Sequence, residues 1–261
     1  MADPLLRLSN LRKIYDAAAG PVEALQHVSL DIAQGEFVSV LGPSGCGKST
    51  LLMLIAGLET PSAGEVVLNG TRVVAPRRES AVVFQDATLL PWKSAMANVL
   101  YPAEILGLPI PAYRARASVL LDQVGLQGFH DRRPAQLSGG MRQRVALCRA
   151  LAQDPALLLM DEPFSALDAI TRDEMNMLML RLWDSEPHRT AVFVTHSIRE
   201  AALLSDRVIV MRRRPCTVIA DLRMPFARPR RAELVDTPEF TAICADLRRL
   251  IEASMQPLVT A

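Results

Sequence analysis

Four short apolar runs, each ending in a polar motif, constrain the fold of this 261-residue chain more than any other feature. Phe37-Val38-Ser39-Val40-Leu41 runs into Gly42, and Ala81-Val82-Val83-Phe84 into Gln85. Leu157-Leu158-Leu159-Met160 runs into Asp161-Glu162, and Ala191-Val192-Phe193-Val194 into Thr195-His196. Near-continuous apolar runs of this length read as strands buried on both faces, which is the pattern of a parallel sheet. In open α/β sheets, ligands bind beyond the carboxyl ends of the strands. Four such ends carrying polar residues point to one shared pocket. Half of the residues are apolar, so an α/β core of this size can form without disulfides.

The first of these ends carries Gly42-Pro43-Ser44-Gly45-Cys46-Gly47-Lys48-Ser49-Thr50, which fits G-x-x-x-x-G-K-[ST]. Its glycines let the backbone wrap phosphate oxygens, and the helix that follows adds partial positive charge at its N-terminus. That helix is expected over Lys48–Ala56, with Gly57 as its stop signal. Lys48 is expected to reach the β/γ-phosphates and Ser49 to ligate Mg²⁺. Only Lys13, Lys48 and Lys93 among 29 basic residues are lysines, yet one stands here, where a compact ammonium fits and a planar guanidinium does not.

Asp161-Glu162 leaves a buried strand, where two adjacent carboxylates are costly unless metal-bound or in use. Asp161 is placed to hold Mg²⁺, directly or through water, and Glu162 to orient and deprotonate an attacking water. A helix start is the plainer reading of the pair, and Pro163 fits that too. Ser138-Gly139-Gly140 is a helix cap whose serine and exposed glycines also form an anion nest. A second anion site, far along the chain from the first, suggests an ATPase whose active site is completed by another copy of itself.

Around these motifs, Leu5–Ala33 reads as an antiparallel edge sheet. Residues from about Asp86 to Pro155 read as helical, with breaks at Pro91, Pro102, Pro109, Pro111 and Pro134. Helices are expected over Ala115–Val124 and along Met141, Val145, Cys148 and Ala152, and a final amphipathic one over Pro238–Met255. Cys46, Cys148, Cys216 and Cys244 are scattered, which argues against a zinc site or a disulfide framework and fits a reducing compartment.

The net charge of +1 gives nothing global to attract nucleic acid or a membrane. Arg212-Arg213-Arg214 and Arg228, Arg230 and Arg231 read as solvated surface, with lipid headgroups or an acidic partner as the sharper alternative. The segment Met1–Asn10 lacks the pattern of a signal peptide, and no stretch approaches the roughly 18 apolar residues of a membrane span. The expected location is cytoplasmic, with any membrane part on another chain.

With the phosphate loop, Ser138-Gly139-Gly140 and Asp161-Glu162 in this order, the chain resembles the ATP-binding subunits of ABC transporters, from about Leu5 to Ala220. The resemblance implies a P-loop NTPase of the α/β class, a RecA-like mainly parallel sheet with an N-terminal antiparallel sheet and an inserted α-helical subdomain. The ATPase domain would span 1–230, the inserted subdomain 87–155 and a short helical tail 231–261. The resemblance gives Tyr15 the role of stacking on adenine. It makes Gln85 a sensor of Mg²⁺ and the attacking water. Ser138, Gly139 and Gly140 would contact a γ-phosphate held by the opposite subunit. Ser165-Ala166-Leu167-Asp168 would be the crossing loop and His196 the γ-phosphate switch.

Met141 stands where the family most often has glutamine. Phe84–Trp92, Asn98-Val99 and Asp168–Arg172 are similar to the importer ATPases for nitrate, taurine and alkanesulfonates. The implied partners are a second ATPase subunit in a homodimer, separate transmembrane permease chains and, indirectly, a periplasmic or extracellular solute-binding protein, with no nucleic acid. The implied place is the cytoplasmic face of the inner membrane. Rival readings are a soluble ABC-type ATPase of DNA repair or translation, a regulatory nucleotide-binding module, and an exporter ATPase.

Overall fold

The N-terminal segment forms two long antiparallel strands, β1 (Leu6–Ala17) and β2 (Gly20–Ile32), in a computed structural model that describes residues 3–18, 20–186, 188–213 and 216–255. The apolar run β3 (Phe37–Leu41) leads through the glycine-rich loop into helix α1 (Lys48–Ile55). Strands β4 (Ala63–Leu68) and β5 (Thr71–Arg72) return to the first sheet, which is ordered β2-β1-β4-β5. The expected edge sheet is therefore four strands wide.

The remaining strands are β6 (Ser80–Val83), β7 (Leu157–Asp161), β8 (Thr190–Thr195), β9 (Arg207–Met211) and β10 (Val218–Arg223). They join β3 in a sheet ordered β10-β9-β3-β8-β7-β6. Every pairing in it is parallel except β9 with β10. This mainly parallel sheet, with the glycine-rich loop at the carboxyl end of its central β3, is of the expected α/β class.

Alternation inside the apolar runs explains why both faces of the sheet had to be hydrophobic. Leu158, Met160, Ala191, Phe193, Val208 and Val210 point into one apolar cluster. Their chain neighbours Leu157, Leu159, Val192, Val194, Ile209 and Met211 point into the other, shared with α1 and the antiparallel sheet. A strand with a buried partner on each side has no position left for a polar residue. Ser39 is a mid-strand exception, and its buried hydroxyl hydrogen-bonds that of Ser205; Thr190 and Thr195 are buried at the two ends of β8.

Phe193 is fully buried between Phe37 and Phe164, with ring centroids 5.8 Å from each. Phe193→Ala is expected to cost about 3–5 kcal/mol by leaving a cavity in the sheet. A urea midpoint lowered at unchanged slope checks it.

Between β6 and β7 lie α2 (Ala95–Ile105), α3 (Ile110–Gln123) and α4 (Gly139–Leu151), with α2 packed on both others. Helix α3 begins five residues before the expected Ala115, because Pro111 sits in its first turn, where its missing N–H is no loss. Pro102 does not break its helix either and lies inside α2, one turn before the end. Helices α5 (Ala169–Asp184), α6 (Ile198–Leu204) and α7 (Pro238–Met255) complete the fold, the last with the expected bounds.

Two of the tail arginines, Arg228 and Arg230, differ from the expected solvated surface, whereas Arg213 and Arg231 are exposed as expected. Arg230 is buried and donates to the carbonyls of Leu203 and Phe226. Arg228 binds Asp206 and the Leu204 carbonyl, so the pair staples the tail to α6 and β9. Burial also lowers Arg230 to about 10. Arg214 lies outside the described residues.

Candidate active site

The carboxyl ends of β3, β7 and β8 deliver the loop, the acidic pair and the histidine to one place. Gly47 caps α1 with φ +105°, and no side chain caps the helix there. A Cβ on Gly47 would lie 2.7 Å from the Ala24 carbonyl oxygen, so glycine is required by conformation and by space. The first amide groups of α1 are thereby left to an incoming anion.

Lys48 is buried, and its Nζ donates to the carbonyls of Gly42 at 2.9 Å and Pro43 at 3.2 Å. It also lies 3.4 Å from Glu162 Oε1. The other carboxylate oxygen of Glu162 is 2.9 Å from His196 Nδ1. Glu162 is thus bracketed by an ammonium and an imidazole. Its backbone is in the left-handed region, φ +44°, which a non-glycine residue occupies only when its surroundings hold it. Here its N–H donates to the Val194 carbonyl, and its own carbonyl accepts from the Ser165 N–H and hydroxyl.

Ser49 Oγ donates to Asp161 Oδ1 at 3.0 Å. Burial raises Asp161 above the usual carboxylate range; the Ser49 hydrogen bond opposes this, the Glu162 charge adds to it and Lys48 opposes it. With Gln85 lining the same cleft, the hydroxyl, carboxylate and amide oxygens form a donor set that suits a small hard divalent cation.

The cleft above the loop has a volume of about 550 Å³ and is closed on one side by Tyr15 and Val22. Lys13 covers one face of the Tyr15 ring, its Nζ 4.8 Å from the centroid. The structure thus brings together Tyr15, Gln85, Asp161, Glu162 and His196 with Gly42, Pro43, Ser44, Gly45, Cys46, Gly47, Lys48, Ser49 and Thr50.

It does not bring Ser138, Gly139 and Gly140 into that cleft. Ser138 caps α4 by accepting from the Met141 N–H at 3.2 Å. A Cβ on Gly140 would lie 2.7 Å from Thr171, so that glycine serves the packing of α4 on α5. A Cβ on Gly139 would meet only the tip of Arg142 at 3.9 Å. Among the described residues nothing demands glycine at 139.

Two buried polar residues have positioning roles that the sequence did not reveal, although Asn98 was part of the importer resemblance. Buried Gln143 on α4 donates to the Phe84 carbonyl, one residue before Gln85. Asn98, also buried, accepts from the Leu90 N–H and donates to the carbonyls of Leu90, Lys93 and Ser94. Polar residues on helices full of apolar ones were the available signal, but only the fold says what they reach.

A profile of the family described as ABC transporter matches residues 25–165. The taurine import ATP-binding protein TauB of Roseobacter denitrificans is 48% identical over 223 residues, covering 85% of this chain and 83% of the relative. An uncharacterized ABC transporter ATP-binding protein of Methanocaldococcus jannaschii is 44% identical over 235 residues, covering 90% and 88%. Among solved structures, a dimeric ATP-binding cassette in a post-hydrolysis state with ADP and Pi superposes with a TM-score of 0.74 at 33% identity, covering 85% of this chain and all of that one. The matched profile, the identity to these relatives over most of the chain and the shared fold show that the chain belongs to the ABC transporter family as an ATP-binding subunit that hydrolyses ATP.

Proposed function

We propose that two copies of this chain form the motor of an importer for a small sulfonate or anion, with taurine foremost and nitrate and alkanesulfonates as its chemical neighbours. Relatives named as taurine importers, at 43–48% identity over most of the chain, support the solute class. The observation that carries the motor mechanism is the separation of Ser138–Gly140 from the cleft of their own chain. Gly139 has open space above it, which fits close approach by a ligand held elsewhere.

In this reading ATP enters with its adenine on the free face of Tyr15 and its phosphates on the loop amides. Lys48 exchanges the carbonyls of Gly42 and Pro43 for β/γ-phosphate oxygens. Ser49, Asp161 and Gln85 would hold Mg²⁺, which would neutralise phosphate charge. Glu162 accepts the proton of the attacking water, and His196 contacts the γ-phosphate. Ser138, Gly139 and Gly140 of the second copy close over the same phosphate.

Helix α4 carries the signature turn, and it also grips the segment after Gln85. Gln143 holds Phe84, and Arg149 donates to the carbonyls of Ala87 and Thr88. Trp92, two-thirds exposed, stands in that segment as a contact for a permease chain. A push on this surface reaches the signature turn through one rigid helix. Residues 87–155 accordingly form the inserted subdomain of an ATPase domain spanning 1–230, with 231–261 as a tail of which 256–261 lie outside the described residues. Among the described residues no helix is long and apolar enough to cross a membrane, which fits a subunit that meets the permease at its cytoplasmic face.

The test is co-purification with the permease, reconstitution with the solute-binding protein, and ATPase assay against taurine, alkanesulfonates and nitrate. Stimulation by one of these is the expected result. Stimulation only by solutes of other chemistry overturns the solute class, and failure to associate with a permease overturns the importer.

A further inference from the structure

Beneath the phosphate loop lies a pair of thiols that the ATPase chemistry does not use. Cys46 and Cys216 are far apart in sequence, yet both are buried in the same apolar cluster, and the Cys216 side chain packs against Gly47, the residue next to Cys46. A Cβ built on Gly47 would lie 3.3 Å from Cys216 Sγ, and one on Gly42 would lie 3.0 Å from Cys46 Sγ. The pair is therefore packed against both ends of the loop. The Cys216 carbonyl accepts from the Gln26 N–H on β2 at 3.0 Å, which anchors its backbone. Cys148 lies in the other apolar cluster, and Cys244 packs against that one.

We propose that Cys46 and Cys216 are an oxidant-sensitive modification site, closing to a reversible disulfide that takes the phosphate loop out of its nucleotide-binding shape. The inference rests on Gly42–Thr50 being the ATP loop. A disulfide holds its sulfurs about 2.05 Å apart, closer than two unbonded thiols can approach. Because Cys216 is anchored, closure draws Cys46 and the loop toward it. The amide groups that face phosphate are set by the backbone on both sides of Cys46, so a small displacement there misaligns them.

The electrostatics favour the first step. The hydrogen bond from Cys216 is the main cause that lowers Cys46 to about 7, with nearby Lys48 assisting and burial opposing. Cys216 is raised and stays the thiol donor. The thiolate is the reactive form, and Cys46 lines the open cleft. Hydrogen peroxide serves as oxidant. The Cys46 thiolate attacks one peroxide oxygen, the O–O bond breaks, and the departing hydroxide takes up a proton to become water. The Cys216 sulfur then attacks the Cys46 sulfenic sulfur, the S–O bond breaks, and hydroxide leaves with the Cys216 proton as a second water. Two thiols lose two electrons and two protons, and one peroxide becomes two waters.

The experiment treats the full chain with hydrogen peroxide, maps peptides without reduction and measures ATP binding before and after dithiothreitol. Expected are a Cys46–Cys216 linked peptide, ATP affinity weakened about tenfold or more, and recovery of both on reduction. Cys216→Ala should bind ATP like the reduced parent and keep its affinity at peroxide doses that inactivate the parent. The proposal is overturned by oxidation of Cys46 without the linked peptide, by a linked protein that binds ATP normally, or by equal reversible loss in Cys216→Ala. Peptide mapping needs no nucleotide, so a reduced chain that fails to bind ATP would refute the ATP loop separately.

Discussion

Glu162→Gln is expected to bind ATP, form a stable ATP-bound dimer and hydrolyse it at least about a hundredfold more slowly than the parent, the size of effect that general-base catalysis supplies. The substitution keeps the shape of the side chain and its place between Lys48 and His196. It removes the capacity to take a proton from water. The left-handed backbone at this position is held by contacts of main-chain atoms, which glutamine leaves untouched. Loss of turnover with retained binding therefore isolates the chemistry of the carboxylate. Size-exclusion chromatography with ATP, beside a phosphate-release assay, reads both halves. Turnover near the parent rate would show that some other group activates the water.

Lys48→Ala is expected to lose ATP binding itself. Its ammonium is the only buried cation drawn toward the loop carbonyls of Gly42 and Pro43 among the described residues, and the charge that meets the phosphates is gone without it. For the parent, ATP at a hundredfold excess over its dissociation constant adds about 2.7 kcal/mol of stability. The variant should gain almost none, read as the loss of the ATP-induced rise in melting temperature. Circular dichroism of the nucleotide-free variant separates this from unfolding. A full ATP-induced shift in Lys48→Ala would remove Lys48 from the binding site. Lys48→Arg should fare little better, since the ammonium is packed in the loop and a planar guanidinium is larger and differently shaped.

The two substitutions part the acidic pair from the loop, and the physical basis of that division is visible in their surroundings. Lys48 donates to two main-chain oxygens of the loop, partners that in the proposed mechanism give way to phosphate. Glu162 faces a histidine whose side chain stays half exposed, at the mouth of the site. In the proposed mechanism one group meets the phosphates and the other activates the water.

Local chemistry made much of this legible in advance. Glycine-rich loop, lysine and serine are contiguous, and contiguous motifs survive translation into structure because neighbouring backbone atoms bind the ligand. The strands around them were equally plain, since burial on both faces leaves an uninterrupted apolar run. The helices between β6 and β7 were read less well. Pro102 and Pro111 signal breaks only when they fall in a helix interior away from its ends, and position within a helix is decided by packing. Strand β10 alternates half-buried and exposed positions at the sheet edge, and its apolar run is only Val218-Ile219-Ala220, too short to announce it.

What the sequence by itself determined is the chemistry available: a phosphate loop, an acidic pair, a histidine and a glycine turn, on a chain with enough apolar residues to bury a parallel sheet. Tertiary structure alone decided which of these meet. It set Glu162 between Lys48 and His196, left Ser138–Gly140 outside the cleft, turned Arg228 and Arg230 from surface charges into staples, and brought Cys46 against Cys216. The reason is that residue type and short spacing are local properties. Proximity between distant segments depends on strand order and on which side of the sheet each crossover packs, and no single segment encodes either.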